Sequence, residues 1–310
     1  MIARVDGAKS KNPVALAQGL ATTSEVTYNN PVAIAGRDGT VHFLFCLEYM
    51  RAFYMRSEDD GQTFSQPVEI TGSFDRFRPE YPWKVLATGP GHGIQLKSGR
   101  LLVPVWLSTG TGGHAHRPSV TSTIYSDDHG KTWQRGDIAV PDTPQWVFPN
   151  ETVAAEVPDG RVPRNVRSES KTNRRLLTYS RDGATNWSEP RFHEQLLEPI
   201  CMASMVAARI GGRNVLLFAN PDNLERAAGL AEAGRPRDRK NVTVQVSYDG
   251  GVSWTAKRSV EPGYSGYSDM AVLPDGKILL LYERGGLGDD HFRSAFLTLS
   301  RFDLQWVTGP

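Results

Sequence analysis

The sequence predicts an all-β chain assembled from repeated sheet units, and three observations carry that expectation. An eight-residue phrase, Ser-x-Asp-x-Gly-x-Thr-Trp, recurs along the chain. Runs of strand-forming residues precede it each time. Helical periodicity is nearly absent, with LERAAGLAEAG (224–234) the only helical-looking piece. A repeated unit decides the architecture before any single residue does.

The clearest copy is Ser126, Asp128, Gly130, Thr132 and Trp133. A second is Ser57, Asp59, Gly61, Thr63 and Phe64, and a third is Ser247, Asp249, Gly251, Ser253 and Trp254. A fourth is worn: Ser180, Asp182 and Trp187 hold, while Ala184 and Asn186 stand at the Gly and Thr places. The intervals between the serines are 69, 54 and 67 residues. Each copy predicts a hairpin turn, because Ser and Asp side chains bond nearby amides and Gly supplies a positive φ. The closing aromatic is placed to pack under the turn. The preceding strands are RAFYMR, STIYS, NRRLLTYS and NVTVQVS. These phrases match the Asp box, a turn signature that several β-propellers of unrelated activity share, so it speaks to fold and not to chemistry.

In chain order, residues 1–20 read as the close of a unit. A strand over Ile2–Arg4, a turn and a strand over Val14–Ala17 lack two preceding strands. Five units follow, opening with strand pairs at 30–46, 93–108, 151–168, 200–220 and 267–283. Most set an apolar strand, a Gly-containing turn and a second apolar strand in succession. Five units and part of another predict a six-bladed β-propeller whose first blade is incomplete, with residues 1–310 forming one domain. A propeller closes its ring with strands from both chain ends, which removes the exposed edge.

Composition narrows the function. The net charge is +1 with Lys and Arg scattered, which argues against nucleic acid or an anionic membrane as partner. No apolar window is long enough to span a membrane, and MIARVDGAKSKNP lacks the apolar core of a signal peptide. Cys46 and Cys201 permit one disulfide but no disulfide framework. No His-x-x-x-His or Cys-x-x-Cys spacing calls for a metal, and the GPGHG loop lacks the Lys-Ser/Thr of a phosphate cradle. No cofactor is expected.

Four further stretches, in order, resemble the bacterial exo-α-sialidases with Asp-box repeats. They are TGPGHGIQLKSGRLLVPVW (88–106), FPNETVAAEV followed by NVRSES, RDRKNVTVQVSYDGG and YSGYSDMAVLPDG. The resemblance covers roughly residues 30–307 and implies a retaining hydrolase acting on terminal sialic acid of glycoproteins, glycolipids or oligosaccharides. Carried over by motif, Tyr267 is the nucleophile and Glu151 its base. A neutral tyrosine suits a substrate whose anomeric carbon bears a carboxylate, because a carboxylate nucleophile would meet like charge. Arg167 matches the second arginine of the family's carboxylate clamp. Arg239 matches the third, with Arg237 the alternative. A guanidinium fork donates two parallel hydrogen bonds to a carboxylate, hence arginine in this role. Glu283 resembles the carboxylate that orients the first arginine. Two softer candidates are His92, in a Gly-rich loop, and Asp269, which reads as a strand brace.

Two family features have no match. The first arginine sits in an Arg-Ile-Pro phrase that this sequence lacks, and the acid/base aspartate that follows it has no counterpart in a matching motif. Two accounts fit: a truncated copy of an ordinary sialidase, or a diverged protein without the acid catalyst. Three readings therefore stay open: an exo-α-sialidase or the greater part of one, a propeller that binds sialic acid without turnover, and an Asp-box scaffold.

Overall fold

The computed structural model describes residues 3–8, 27–111, 115–225, 238–287 and 290–309, with backbone alone at 3–8 and 290–293. The strand expected over Val14–Ala17, Arg237 and most of the 224–234 segment lie outside the described residues. The chain divides into two compact units: Ser10–Thr152 with Ser180–Ser188, and Met1–Lys9 with Val153–Tyr179 and Glu189–Pro310.

The elements are, in chain order, β1 (Ala3–Ala8), β2 (Tyr28–Ala35), β3 (Val41–Leu47), β4 (Arg51–Ser57), β5 (Val68–Glu69), α1 (Thr71–Asp75), β6 (Val85–Thr88), β7 (Gly91–His92), β8 (Ile94–Gln95), β9 (Leu101–Ser108), β10 (Ser119–Ser126) and β11 (Gln134–Arg135). Then come β12 (Thr152–Ala154), β13 (Val162–Val166), β14 (Arg174–Ser180), β15 (Arg191–Leu197), β16 (Ser204–Ile210), β17 (Arg213–Pro221), β18 (Lys240–Ser247), β19 (Ala256–Val272), β20 (Ile278–Leu287), β21 (Asp290–Phe302) and α2 (Leu304–Thr308).

The amino-proximal unit holds two sheets, ordered β5-β4-β3-β2-β7 and β11-β10-β9-β6, with β8 also paired to β9. Strand β9, LLVPVWLS, is buried at every position, which accounts for its unbroken apolar run. Its neighbour β10 is rich in buried hydroxyls, and those of Ser122, Thr123 and Ser126 find acceptors. The Ser122 hydroxyl donates to Asp137 O at 2.7 Å and that of Thr123 to Gly183 O at 3.0 Å. The core of this unit is one cluster including Ile34, Leu44, Phe74, Leu86, Val103 and Ile124. Each such side chain contributes roughly 1.5–3 kcal/mol on burial.

The carboxyl-proximal unit holds a sheet ordered β12-β13-β14-β15 and a seven-stranded sheet ordered β1-β21-β20-β19-β18-β17-β16. Six blades are therefore not what the described residues form: they make four sheets. Two features account for the difference. Strand β19 runs 17 residues without a break, pairing through its first part with β18 and through its second with β20. It thereby fuses two units that the sequence separates. Strand β1 opens no blade of its own, but pairs antiparallel with β21 from Ala3↔Arg301 to Ala8↔Phe296.

The box turns follow the sequence closely. Ser126 Oγ donates to Asp128 at 2.8 Å and accepts from Gly130 N–H at 2.8 Å. Asp128 then accepts the Thr132 N–H at 2.9 Å and its hydroxyl at 2.6 Å. The Ser57 and Ser247 copies repeat the pattern. His129 and Gly130 both have positive φ, 59° and 82°, the requirement of a tight hairpin reversal. The anchors pack as expected, Trp133 against Tyr54 at 5.6 Å and Trp254 against Phe218 at 5.7 Å between ring centroids.

The fourth box is shifted and not decayed. Gly183 N–H donates to Ser180 Oγ at 3.1 Å, and Asp182 accepts the Thr185 N–H at 2.8 Å and its hydroxyl at 2.9 Å. Gly183 and Thr185 thus fill the Gly and Thr places one residue early. Asn186 absorbs the offset at φ 52°. Hydrogen bonds hold the box carboxyls of Asp59 and Asp128 at about 2, the Thr63 and Thr132 hydroxyls being the main donors. At Asp182 and Asp249, burial pushes the other way and turn hydrogen bonds still bring the carboxyl to about 2.

Candidate active site

Four of the five residues singled out in the sequence meet in the carboxyl-proximal unit. Arg167 directly follows β13, Arg239 precedes β18, Tyr267 lies on β19 and Glu283 on β20. Arg167 and Arg239 are each only 6% exposed. Arg167 Nη1 donates to the Tyr267 hydroxyl oxygen at 3.0 Å. The Arg239 guanidinium carbon lies 4.9 Å from the centre of the Tyr267 ring. Two cations thus converge on one phenol.

A register slip aims that phenol. Ser265 faces Arg284 and Ser268 faces Tyr282, so Gly266 and Tyr267 together oppose the single residue Glu283. Such a bulge kinks the strand and redirects a side chain. Glu283 holds it, accepting the Tyr267 backbone N–H on Oε2 at 3.2 Å. Gly266 leaves room for that carboxylate: a Cβ on it would stand 2.6 Å from the same Oε2, which would have to move aside. Asp269 behaves as the strand brace expected of it, accepting the Ser204 hydroxyl at 3.0 Å and the Met270 N–H at 3.0 Å.

Behind the two arginines lies a network that sequence reasoning missed. Arg175 and Glu198 form an ion pair at 2.6 Å with side-chain exposures of 0% and 1%. Arg175 also donates to Asn165 Oδ1 at 2.5 Å and to Cys201 O at 3.0 Å. Glu198 accepts the Ser168 N–H at 3.3 Å on one oxygen and the Cys201 N–H at 3.1 Å on the other. Burial pushes the Glu198 carboxyl up and the Arg175 guanidinium down, and the charge of each opposes the shift of the other. The positive charge of Arg167 also favours ionised Glu198. Arginine keeps its proton in proteins, so the Arg175 side of the pair is charged. Between Glu198 and Cys201 the chain turns through Ile200 at φ 59°, a strained value for a β-branched residue. The Ile200 carbonyl accepts from Arg239 Nη2 at 3.5 Å. Nothing in the sequence marks these residues, since an arginine in a strand and a glutamate before proline ordinarily face solvent.

Glu151 belongs to the amino-proximal unit, at its end, and is 9% exposed. The turn before it is tightly held. Asp142 accepts the Phe148 N–H at 2.8 Å, Phe148 adopts φ 47°, and Asn150 Oδ1 accepts the Glu151 N–H at 2.8 Å. Burial raises the Asp142 carboxyl above its ordinary value, against the Phe148 hydrogen bond. His92 is half-buried on β7, which runs parallel to β2.

Residues 6–280 match the family model of the BNR repeat-like domain. The chain is 29% identical over 236 residues to a sialidase of Bacteroides fragilis, covering 74% of this chain and 38% of that protein. It is 28% identical over 263 residues to a sialidase of Micromonospora viridifaciens, covering 82% of this chain and 35% of that one. The chain therefore spans well under half the length of these two relatives. Among solved structures, the Hadza microbial sialidase Hz136 superposes with a TM-score of 0.71 at 25% identity, over 91% of this chain and 53% of that one. No helix among the described residues is long and apolar enough to cross a membrane. With its Asp-box turns, its all-β sheets of the propeller type and these matches, the chain belongs to the BNR repeat-like family, in its bacterial-type sialidase branch.

Proposed function

We propose that the chain acts as a retaining exo-α-sialidase, removing terminal sialic acid from glycoproteins, glycolipids or oligosaccharides. The observation that carries this reading is the pair of buried guanidiniums against one phenol, Arg167 at 3.0 Å from its oxygen and Arg239 over its ring. In this reading Arg167 and Arg239 clamp the substrate carboxylate with charge-assisted hydrogen bonds. Tyr267 attacks the anomeric carbon as its phenolic proton passes to Glu151, and the bond to the aglycone breaks, the departing oxygen taking its proton from water. Water later cleaves the tyrosyl–sugar bond, with overall retention, and Glu151 returns its proton to the phenolate. The Arg167 guanidinium also stands where the tyrosine oxygen carries negative charge before bond formation, which is electrostatic preorganisation. Glu283 keeps the bulge in shape by binding the Tyr267 N–H.

A second reading is sialic-acid binding without turnover. It is favoured by one observation: two buried guanidiniums suffice to hold a carboxylate, whether or not a general acid stands beside them. Absence of a general acid costs about 10²–10⁴-fold in rate. Release of a fluorophore from an α-sialoside by this chain, beside Tyr267→Phe, tests the first reading. Turnover that is lost in the variant supports it. Saturable binding of a sialic-acid analogue with no turnover supports the second.

A further inference from the structure

We infer that Glu198, paired with Arg175, is a positioning residue that sets the spacing of the two clamp arginines. The inference rests on the reading of Arg167 and Arg239 as the carboxylate clamp.

The geometry points to Glu198 because one carboxylate grips both arginine-bearing segments. One of its oxygens accepts the N–H of Ser168, the residue after Arg167. The other accepts the N–H of Cys201, the residue after Ile200, whose carbonyl receives Arg239. Arg175 closes the figure from the opposite side, joining Glu198 to Asn165 on β13 and to the Cys201 carbonyl. The Arg167 backbone and the Arg239 acceptor are thus tied to the same carboxylate.

A purely structural role is a weaker account. A buried ion pair gives little net stability over an apolar pair of equal volume, because desolvation offsets the attraction. What such a pair does supply is fixed direction: Glu198 accepts at both oxygens, and Arg175 donates from both its Nε and its Nη1. The Ile200 turn is strained at φ 59° and needs such a fixture to stay in place. Two guanidiniums must stay in register within a fraction of an ångström for a planar carboxylate to meet both.

The test is Glu198→Gln in the full chain, which preserves shape but replaces one acceptor oxygen by a donor. The probes are 2,3-dehydro-N-acetylneuraminic acid and its carboxamide, whose affinity ratio reads the clamp alone. Wild-type protein is expected to prefer the acid. Glu198→Gln is expected to lower that preference about tenfold or more, leaving carboxamide affinity within about twofold, which also shows the pocket folded. An unchanged ratio in the folded variant overturns the inference. Absence of any acid preference in the wild type overturns the clamp reading beneath it. Should Glu198→Gln not fold, Arg175→Lys carries the test, since a single ammonium keeps the charge but cannot reach Asn165, Glu198 and Cys201 together. A smaller drop in the same ratio is then expected, and an unchanged ratio overturns the inference.

Discussion

Replacing Gly266 by alanine isolates the contact that shapes the Tyr267 bulge. The added Cβ would stand 2.6 Å from Glu283 Oε2, and ordinary contact begins near 3.4 Å, so the carboxylate must retreat by about 0.8 Å. That retreat carries the 3.2 Å hydrogen bond from the Tyr267 N–H out of range. The atom in the way is the far end of a flexible side chain, so the backbone stays and the loss is mainly one hydrogen bond to a charged group, about 1.5 kcal/mol for a partly buried site. Gly266 does not have a positive φ, so alanine brings no backbone strain and gains up to about 0.4–1 kcal/mol by restricting the unfolded chain. The expected net cost is about 1 kcal/mol in the native background. In a Glu283→Ala background the clash is gone, and the same substitution becomes neutral or slightly stabilising. Denaturant unfolding of the four proteins in this cycle gives the coupling directly. Equal costs in both backgrounds would refute the account of the bulge.

Two further predictions concern stability and reactivity. The box carboxyls of Asp59, Asp128, Asp182 and Asp249 sit at about 2, below the ordinary 3.8, so the folded chain binds fewer protons than the unfolded one between those values. Their contribution is fully present above about pH 4 and is lost as pH falls towards 2; a denaturant midpoint flat down to pH 2.5 would contradict this. Cys46 and Cys201 are both fully buried, and burial pushes the Cys46 thiol up to about 11. Neither should react with a disulfide reagent at pH 8 in the native protein, and both should react after unfolding; one fast native thiol would mean that a sheet opens locally.

What the sequence made legible was local. A box turn closes within eight residues through side chains bonded to neighbouring amides, so Ser126, Asp128 and Thr132 announce the turn without tertiary help. The fourth box was misjudged because spacing was read rigidly, whereas Gly183 and Thr185 make the same bonds one residue early. Sheet count was not legible, because nothing in AKRSVEPGYSGYSDMAV says that strand β19 runs unbroken from one partner to the next. The flanking phrases of Arg167, Arg239, Tyr267 and Glu283 made them candidates, and the structure sets them near one another. Arg175 and Glu198 were not, because a buried ion pair is defined by where burial falls and not by residue type.

The most direct test of the central claim is initial-rate release of a fluorophore from an α-sialoside by this chain and by Tyr267→Phe, which removes only the oxygen that Arg167 contacts at 3.0 Å. The account predicts measurable turnover by the wild type that falls by orders of magnitude in the variant, with the fold unchanged by circular dichroism. Equal turnover by the two proteins would contradict it, because the reaction would then not pass through this tyrosine.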